Sequence, residues 1–442
     1  MKTMVTPPQL ERYRRAIRQL RTARLAGRVV QVVGLTVEAV GVDSQIGEVC
    51  EIHTSLGGSL LAEVVGFREQ RTILMPLGDM QGIQPDSPVI PTRTVFRTPV
   101  GRSLLGRVLD GLGRPLDNKG PLGLLDTRPI YAHAPHPLNR KPIQEPLITG
   151  IRAIDGLITI GKGQRIGIFA GSGVGKSTLL GSLARHARAD VNVIGLVGER
   201  GREVAEFIDR DLGAEGLKRS VVVVATSDQP ALVRLKAAWV STTIAEYFRD
   251  LGLDVIFMMD SVTRFAMAQR EVGLAVGEPP ASKGYTPSVF ALLPQLLERA
   301  GTGEEGSITG LYTVLVEGDD FNEPISDSVR SILDGHIGLS REIAARNHYP
   351  AIDVLHSISR VMPVVTKPEH RKWAGEMRKL MATYEKARDL VNIGAYVNGS
   401  DPDIDRALAA LPKINAFLQQ TPSETTAFED MLTMLAEIGT ER

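Results

Sequence analysis

Ala170-Gly171-Ser172-Gly173-Val174-Gly175-Lys176-Ser177-Thr178 stands between a short β-branched run, Arg165–Ala170, and a stretch of helical spacing. That context decides the fold. Glycines between a strand and a helix let the backbone turn so tightly that successive N–H groups converge on an anion. The helix that follows adds its N-terminal dipole. The loop therefore predicts a phosphate site of the P-loop kind, with ATP as ligand. Lys176 reaches the β- and γ-phosphates, and Ser177 offers its hydroxyl to Mg²⁺. Ala170 replaces the first glycine of the strict pattern and is small enough to serve.

Outward from the loop, strand-like and helix-like runs alternate from about 150 to 365. The strands read as 165–170, 191–197, 221–226, 254–260 and 308–316, with helices at 177–188, 202–212 and 229–250 between them. Such alternation predicts a mainly parallel sheet covered on both faces. Two acidic elements fall after apolar strands. The run Asp254-Val255-Ile256-Phe257-Met258-Met259-Asp260 ends in a carboxylate at the sheet edge where ligands bind, so Asp260 is the candidate to hold Mg²⁺ through water. Gly198-Glu199-Arg200-Gly201-Arg202-Glu203 offers Glu199 to orient the water that attacks the γ-phosphate, with Glu203 near it. Glu199 also reads as a plain first-turn helix acid.

The rest of the chain is organised around this core. Residues 1–26 predict a basic amphipathic helix, with Leu10, Tyr13, Ile17 and Leu20 on one stripe and arginines over the remainder. It reads either as a solvated helix on its own domain or as a docking segment for a partner or an acidic phospholipid surface. Residues 27–93 break into short glycine-cut β-runs, which predict a small β-barrel. The expected ATPase domain spans 94–367, a RecA-like P-loop domain of α/β class. After 368 the strands stop, and 370–392, 403–411 and 423–438 predict a helical C-terminal domain.

The composition fits a soluble globular chain. Of its 442 residues, 43% are hydrophobic and 23% charged, enough to bury a large core without bridges or metals. Fifty-one basic residues balance 51 acidic ones, which speaks against a general nucleic-acid coat. The single cysteine, Cys50, can form no internal bridge and reads as a small buried hydrophobe. His133 and His136 lack a cysteine or acidic companion and read as loop residues rather than metal ligands. No run approaches the roughly 18 apolar residues needed to span a bilayer. The expected location is the cytoplasm, with any membrane contact peripheral and from the inner face.

These elements together resemble the rotary and type III secretion ATPase family, over about residues 25–420. Three further segments carry the likeness. Gly106-Arg107-Val108-Leu109-Asp110-Gly111-Leu112-Gly113-Arg114-Pro115-Leu116-Asp117 is similar to the entry into the family's nucleotide domain. Thr149-Gly150-Ile151-Arg152-Ala153-Ile154-Asp155 is similar to the stretch before its P-loop. Pro350-Ala351-Ile352-Asp353-Val354-Leu355-His356-Ser357-Ile358-Ser359 resembles its signature near the subunit interface. The resemblance implies that Glu199 is the catalytic glutamate and that Arg200 senses the γ-phosphate. It implies that Arg264 lies near the site, that Tyr349 stacks on adenine, and that Arg360 is the finger given to the neighbour's ATP. A chain with both the P-loop and the finger implies a homohexamer.

The family's rotary catalytic subunits carry an acidic loop in the C-terminal domain. Here Asn392-Ile393-Gly394-Ala395-Tyr396-Val397-Asn398-Gly399-Ser400-Asp401-Pro402 stands instead, which resembles the flagellar export branch, with the virulence-secretion branch close behind. That branch implies a stator-like regulatory dimer on the N-terminal helix and a central coiled-coil stalk. It also implies a membrane export gate, with unfolded export substrates and their chaperones. The rival readings are an RNA-translocating ring, a nucleotide-stabilised scaffold and a proton-coupled synthase subunit. An RNA ring wants exposed aromatics on its barrel, where only Phe67 and Phe96 stand between 28 and 97.

Overall fold

The computed structural model describes residues 26–316 and 323–440. The basic helix expected over 1–26 falls, apart from its last residue, outside the described residues. The chain forms two compact units that divide between Phe96 and Arg97.

The first unit is a closed six-stranded barrel. Its strands are β1 (Gly27–Val33), β2 (Thr36–Val40), β3 (Glu48–His53), β4 (Ser59–Arg68), β5 (Arg71–Pro76) and β6 (Pro88–Val95). They pair around the barrel in the order β1-β2-β5-β4-β3-β6, all antiparallel. Closure leaves no unpaired sheet edge. Val29, Val37, Ile52, Val64, Leu74 and Val89 fill the interior with Cys50 among them. Burial, reinforced by the charge of Glu48, pushes the Cys50 thiol up to about 12. The thiolate is then scarce at neutral pH, so Cys50 packs as a hydrophobe.

The second unit carries a nine-stranded, mostly parallel sheet and a ribbon of β7 (Arg97–Val100) with β9 (Asp126–Pro129). The sheet comprises β8 (Val108–Asp110), β10 (Arg165–Ala170), β11 (Val191–Glu199), β12 (Ser220–Thr226), β13 (Asp254–Asp260), β14 (Gly301–Thr302), β15 (Ser307–Leu315), β16 (Gly335–Leu339) and β17 (Ile352–Ser359). Its order is β17-β16-β10-β15-β13-β11-β12-β8, with β14 beside β15. Strands β8 through β16 on this path run parallel, and β17 runs antiparallel to β16. Strands β10 to β13 are almost wholly buried and read as continuous apolar runs, as a sheet covered on both faces requires. All of them end at the same edge, which puts Ala170, Glu199 and Asp260 on one rim.

The helix after the phosphate loop, Lys176–His186, packs tightly on the π-helical segment Phe207–Leu212 at Asp211. A Cβ at Gly181 would stand 2.5 Å from the Asp211 carbonyl oxygen. Backbone cannot yield as a side-chain tip does. We expect Gly181→Ala to lower unfolding stability by about 1–3 kcal/mol. Urea unfolding monitored by circular dichroism checks it, and an unchanged midpoint would show that the helix can move away.

Three helices close the chain: Pro368–Asn392, Pro402–Leu418 and Phe428–Thr440. They share one hydrophobic cluster with the sheet, where Met377, Ala407, Phe417 and Leu435 join Ile154 and Leu157. Two boundaries differ from the sequence reading by more than two residues. The sequence reading ends the middle helix at 411, just before Pro412, a residue that removes a helical donor. The helix continues to Leu418, since burial of Ile414, Phe417 and Leu418 outweighs that one bond. The last helix starts at Phe428 rather than 423, because the backbone of 420–426 is bonded to Gly150, Ser182 and Tyr349 instead.

Candidate functional site

The phosphate loop is built as its sequence demands. Gly173 and Gly175 take φ of 80° and 88°, a left-handed conformation that costs a side-chain-bearing residue energy. Gly175 is the N-cap of the helix that begins at Lys176. Its N-terminal N–H groups and dipole thus face the cleft above the loop.

Lys176 sits between two carboxylates. Its ammonium forms an ion pair with Asp260 and lies 3.5 Å from Glu199 Oε1. Register explains the position of Asp260. Met259 is level with Tyr312 across β13 and β15, so the next residues meet, and the Thr313 hydroxyl donates to Asp260 Oδ1 at 2.7 Å. All three charged side chains are largely buried, at 13% exposure for Lys176, 12% for Glu199 and 6% for Asp260. Burial alone would discharge Lys176, but Asp260 and Glu199 outweigh it, and the net effect raises its pKa. Burial and the charge of Asp260 push Glu199 up to about 7, against the pull of Lys176. One cation thus serves two acids, and the second acid is held close to neutrality.

Cations surround the cleft, whose volume is about 530 Å³. Arg264 stands on the helix Val262–Val276, whose N-cap is Ser261. Its stem packs where Gly198 has no side chain: a Cβ there would lie 2.9 Å from Arg264 Cβ. Arg264 Nε is buried and finds no hydrogen-bond partner among the described residues. A buried donor left unpaired costs about 1–3 kcal/mol, which an anion in the cleft would relieve. Arg200 is exposed and lies 3.8 Å from Glu203. Arg341, just after β16, rests its guanidinium on Gly171, 2.5 Å from where a Cβ would stand.

A second cavity of about 300 Å³ shares Gly175 and Thr178 with the first. It is mainly apolar, with Val174 and Leu179 on one side. The Tyr349 ring flanks it, placed so that a Cβ on Gly175 would touch it at 3.5 Å. Gln420, Thr421, Pro422 and Glu424 close the opposite side. A polar phosphate cleft joined to an apolar slot with an aromatic wall has the shape and chemistry of a nucleotide.

The structure thus gathers Ala170 to Thr178, Glu199, Arg200, Glu203, Asp260, Arg264 and Tyr349 around one site. Arg360 is not among them. Strand β17 runs against β16, with Leu339 opposite Ile352 and Gly335 opposite Ser359. Tyr349 enters at the phosphate rim, whereas Arg360, bonded through its N–H to the Asp334 carbonyl, leaves at the other end and is exposed. At about 3.3 Å per residue, the five residues of β16 separate those ends by some 15 Å.

Sequence reasoning missed Thr313, Arg341 and the segment 420–424. Thr313 carried a signal, an aliphatic hydroxyl next to Tyr312 inside the otherwise apolar run Gly310-Leu311-Tyr312-Thr313-Val314-Leu315. Arg341 carried a weaker one, directly behind a helix-capping serine at the end of a strand. Gln420 carried none, because its place depends on how the last helices fold back.

Residues 150–359 match the ATP synthase alpha/beta family, nucleotide-binding domain; 29–93 match that family's beta-barrel domain; and 366–437 match the T3SS EscN ATPase C-terminal domain. The chain is 55% identical to a flagellum-specific ATP synthase of Bacillus subtilis, over 93% of this chain and 94% of that one. It is 53% identical to a type 3 secretion system ATPase of Xanthomonas euvesicatoria, over 96% of each. Among solved structures it is similar to the assembled ATPase EscN of enteropathogenic E. coli, with TM-score 0.88 and 47% identity over 94% of this chain and all of that one. EscN has also been solved in complex with its central stalk EscO, at TM-score 0.87 and the same identity and coverage.

Proposed function

Because the chain belongs to the ATP synthase alpha/beta family, on its type III secretion branch, and is an ATPase, we propose that it is the homohexameric motor of a flagellar export apparatus. One observation carries the homomeric reading. A hydrolytic set of Lys176, Glu199 and Asp260 lies on one rim of the sheet, while Arg360 is exposed at the opposite end of β17. A chain built this way keeps its own site and lends an arginine to another, and the closed solution for identical subunits is a ring.

ATP enters with its base in the apolar slot against Tyr349 and its phosphates over Gly171 to Thr178. Lys176 then exchanges Asp260 for phosphate oxygens, which frees Glu199 from its share of the lysine charge. Glu199 holds the attacking water and accepts its proton, and Arg200, Arg264 and Arg341 face the charge that develops on the phosphate. The Ser177 hydroxyl and the Asp260 carboxylate are hard oxygen donors of the kind Mg²⁺ takes, and only Oδ1 of Asp260 is engaged by Lys176 and Thr313. When bound there, Mg²⁺ neutralises phosphate charge.

The flagellar assignment rests on the segment 392–402 in place of an acidic loop and on likeness to flagellar relatives. The partners that follow are a stator-like dimer at the N-terminal segment, a central coiled-coil stalk, an export gate and chaperoned substrates. The solved EscN–EscO complex supports the stalk. No helix among the described residues is long and apolar enough to cross a membrane, in keeping with a peripheral place at the inner face. A virulence-secretion role is the second reading, favoured by the EscN-type C-terminal match and by the Xanthomonas relative.

Deleting the gene and restoring it as wild type or Lys176→Ala tests the assignment. Swimming and the release of hook and filament protein should vanish on deletion and return with wild type alone. Survival of both in the deletion strain would remove the flagellar role and favour the virulence reading.

A further inference from the structure

The slot assigned above to the base has two walls from distant parts of the chain. One comes from the phosphate loop and Tyr349, the other from 420–424 beyond the middle C-terminal helix. The second wall belongs to no helix or strand, so something else must fix it. That is Arg152, a residue only 6% exposed on the short helix Arg152–Leu157. Its Nε donates to the Phe417 carbonyl at 2.9 Å and its Nη2 to those of Ala416, at 3.3 Å, and Gln419. Its Nη1 pairs with Glu424 and donates to Thr426 Oγ1 at 3.0 Å. The guanidinium holds the Glu424 carboxyl below its ordinary value. One side chain therefore caps the end of a helix and grips the wall at both of its ends.

Gln420 completes the clasp. Its side chain accepts from Arg152 N–H at 2.9 Å and donates to the Gly150 carbonyl at 2.7 Å, and its N–H donates to the Tyr349 carbonyl at 2.9 Å. Tyr349 and the opposite wall are thus tied to each other through backbone. On the outer side, the Pro422 carbonyl accepts from Arg185 at 2.9 Å and from Ser182 at 3.3 Å. A loop so held needs no ordering when a base arrives, and pre-ordering raises affinity by sparing that entropy.

We propose that Arg152 is a positioning residue for nucleotide binding. It fixes 420–424 as the outer wall of the base slot, so the helical C-terminal segment sets ATP affinity without touching the phosphates. This rests on the reading of the apolar slot as the base site. The chemistry it recognises is a nucleoside attached to a triphosphate, and a bare triphosphate is indifferent to it.

The test uses the full chain as wild type, Arg152→Lys and Glu424→Gln. KM and kcat for ATP are measured, with the inhibition constant of inorganic tripolyphosphate, which has no base. Arg152→Lys keeps the charge but loses the forked geometry, and Glu424→Gln acts at a half-exposed position that folding tolerates. Loss of one charge-assisted bond predicts a rise in the KM for ATP of about tenfold, with kcat held within about twofold and tripolyphosphate inhibition unchanged. An unchanged KM in both variants, a loss confined to kcat, or tripolyphosphate binding that weakens in parallel with ATP would overturn the proposal. Absence of ATP turnover in the wild type would instead bring down the reading of the site itself.

Discussion

Arg360→Ala is expected to cut the ATP turnover of the assembled protein by about 10³–10⁵, the range measured when an arginine finger is lost. Binding of ATP to the same protein should change far less than turnover, because a finger acts chiefly on the charge that develops as the phosphoryl group is transferred. The geometry also predicts rescue by a partner that is itself inactive. An Arg360→Ala subunit keeps Lys176, Glu199 and Asp260 but lends no finger. A Glu199→Gln subunit lends a finger but cannot direct its own water. Mixed in equal amounts and reassembled, about one interface in four places an intact site beside an intact finger, if assembly is random and the ring is closed. Activity of the mixture should then rise far above that of either variant alone. Steady-state phosphate release on variants and mixture measures this. A mixture no more active than its parts, with mixed rings verified by mass, would show that Arg360 does not act across a subunit boundary.

The parts of this arrangement differ in how plainly the sequence displays them. The phosphate loop is legible because the chemistry constrains consecutive residues: left-handed glycines, a lysine and a hydroxyl must follow one another on the strand-to-helix turn. Asp260 is legible for a related reason, since an apolar run that ends in a carboxylate places that charge on the rim of the sheet. The barrel is legible from glycine-cut alternation. Arg360 and Tyr349 are of another kind. Among 51 basic residues nothing local marks Arg360, and only likeness to a family singled it out. What separates the two residues is the direction of β17, a property of pairing between strands that no short window contains. The wall at 420–424 is hidden more deeply. Its role depends on Arg152, some 270 positions away, and on a middle helix that runs through Pro412 to bury Phe417. Local propensity stops that helix at 411, and the tertiary burial that overrides it is invisible until the sheet and helices are assembled.

Glu199→Gln should lower hydrolysis by about 10²–10⁴, the contribution of a positioned general base, or roughly 3–5 kcal/mol of barrier. ATP affinity should hold or improve, because the change removes a negative charge from beside the γ-phosphate. The pH dependence separates this role from a structural one. With its carboxyl pushed up to about 7, Glu199 is largely protonated in mildly acidic nucleotide-free protein and ionised above neutrality. A general base works when ionised, so kcat/KM should climb about tenfold per pH unit below 7 and level off above it. The glutamine variant, run in parallel, carries any dependence that belongs to ATP itself, and its profile should lack this limb. The same group leaves a trace in stability. Its folded value lies above the ordinary 4.5, so the native protein binds more protons than the unfolded chain between about 4.5 and 7. The stability it contributes is fully present below 4.5 and is lost as pH rises through 7. Glutamine has no such loss, so relative to wild type the variant should melt at a higher temperature at pH 8 than at pH 5. Parallel kinetic profiles for the two proteins, with no divergence in melting between those pH values, would show that Glu199 is not the base. The two carboxylates that share Lys176 would then need another reason to stand together on this rim, at a cost in stability that only turnover has so far explained.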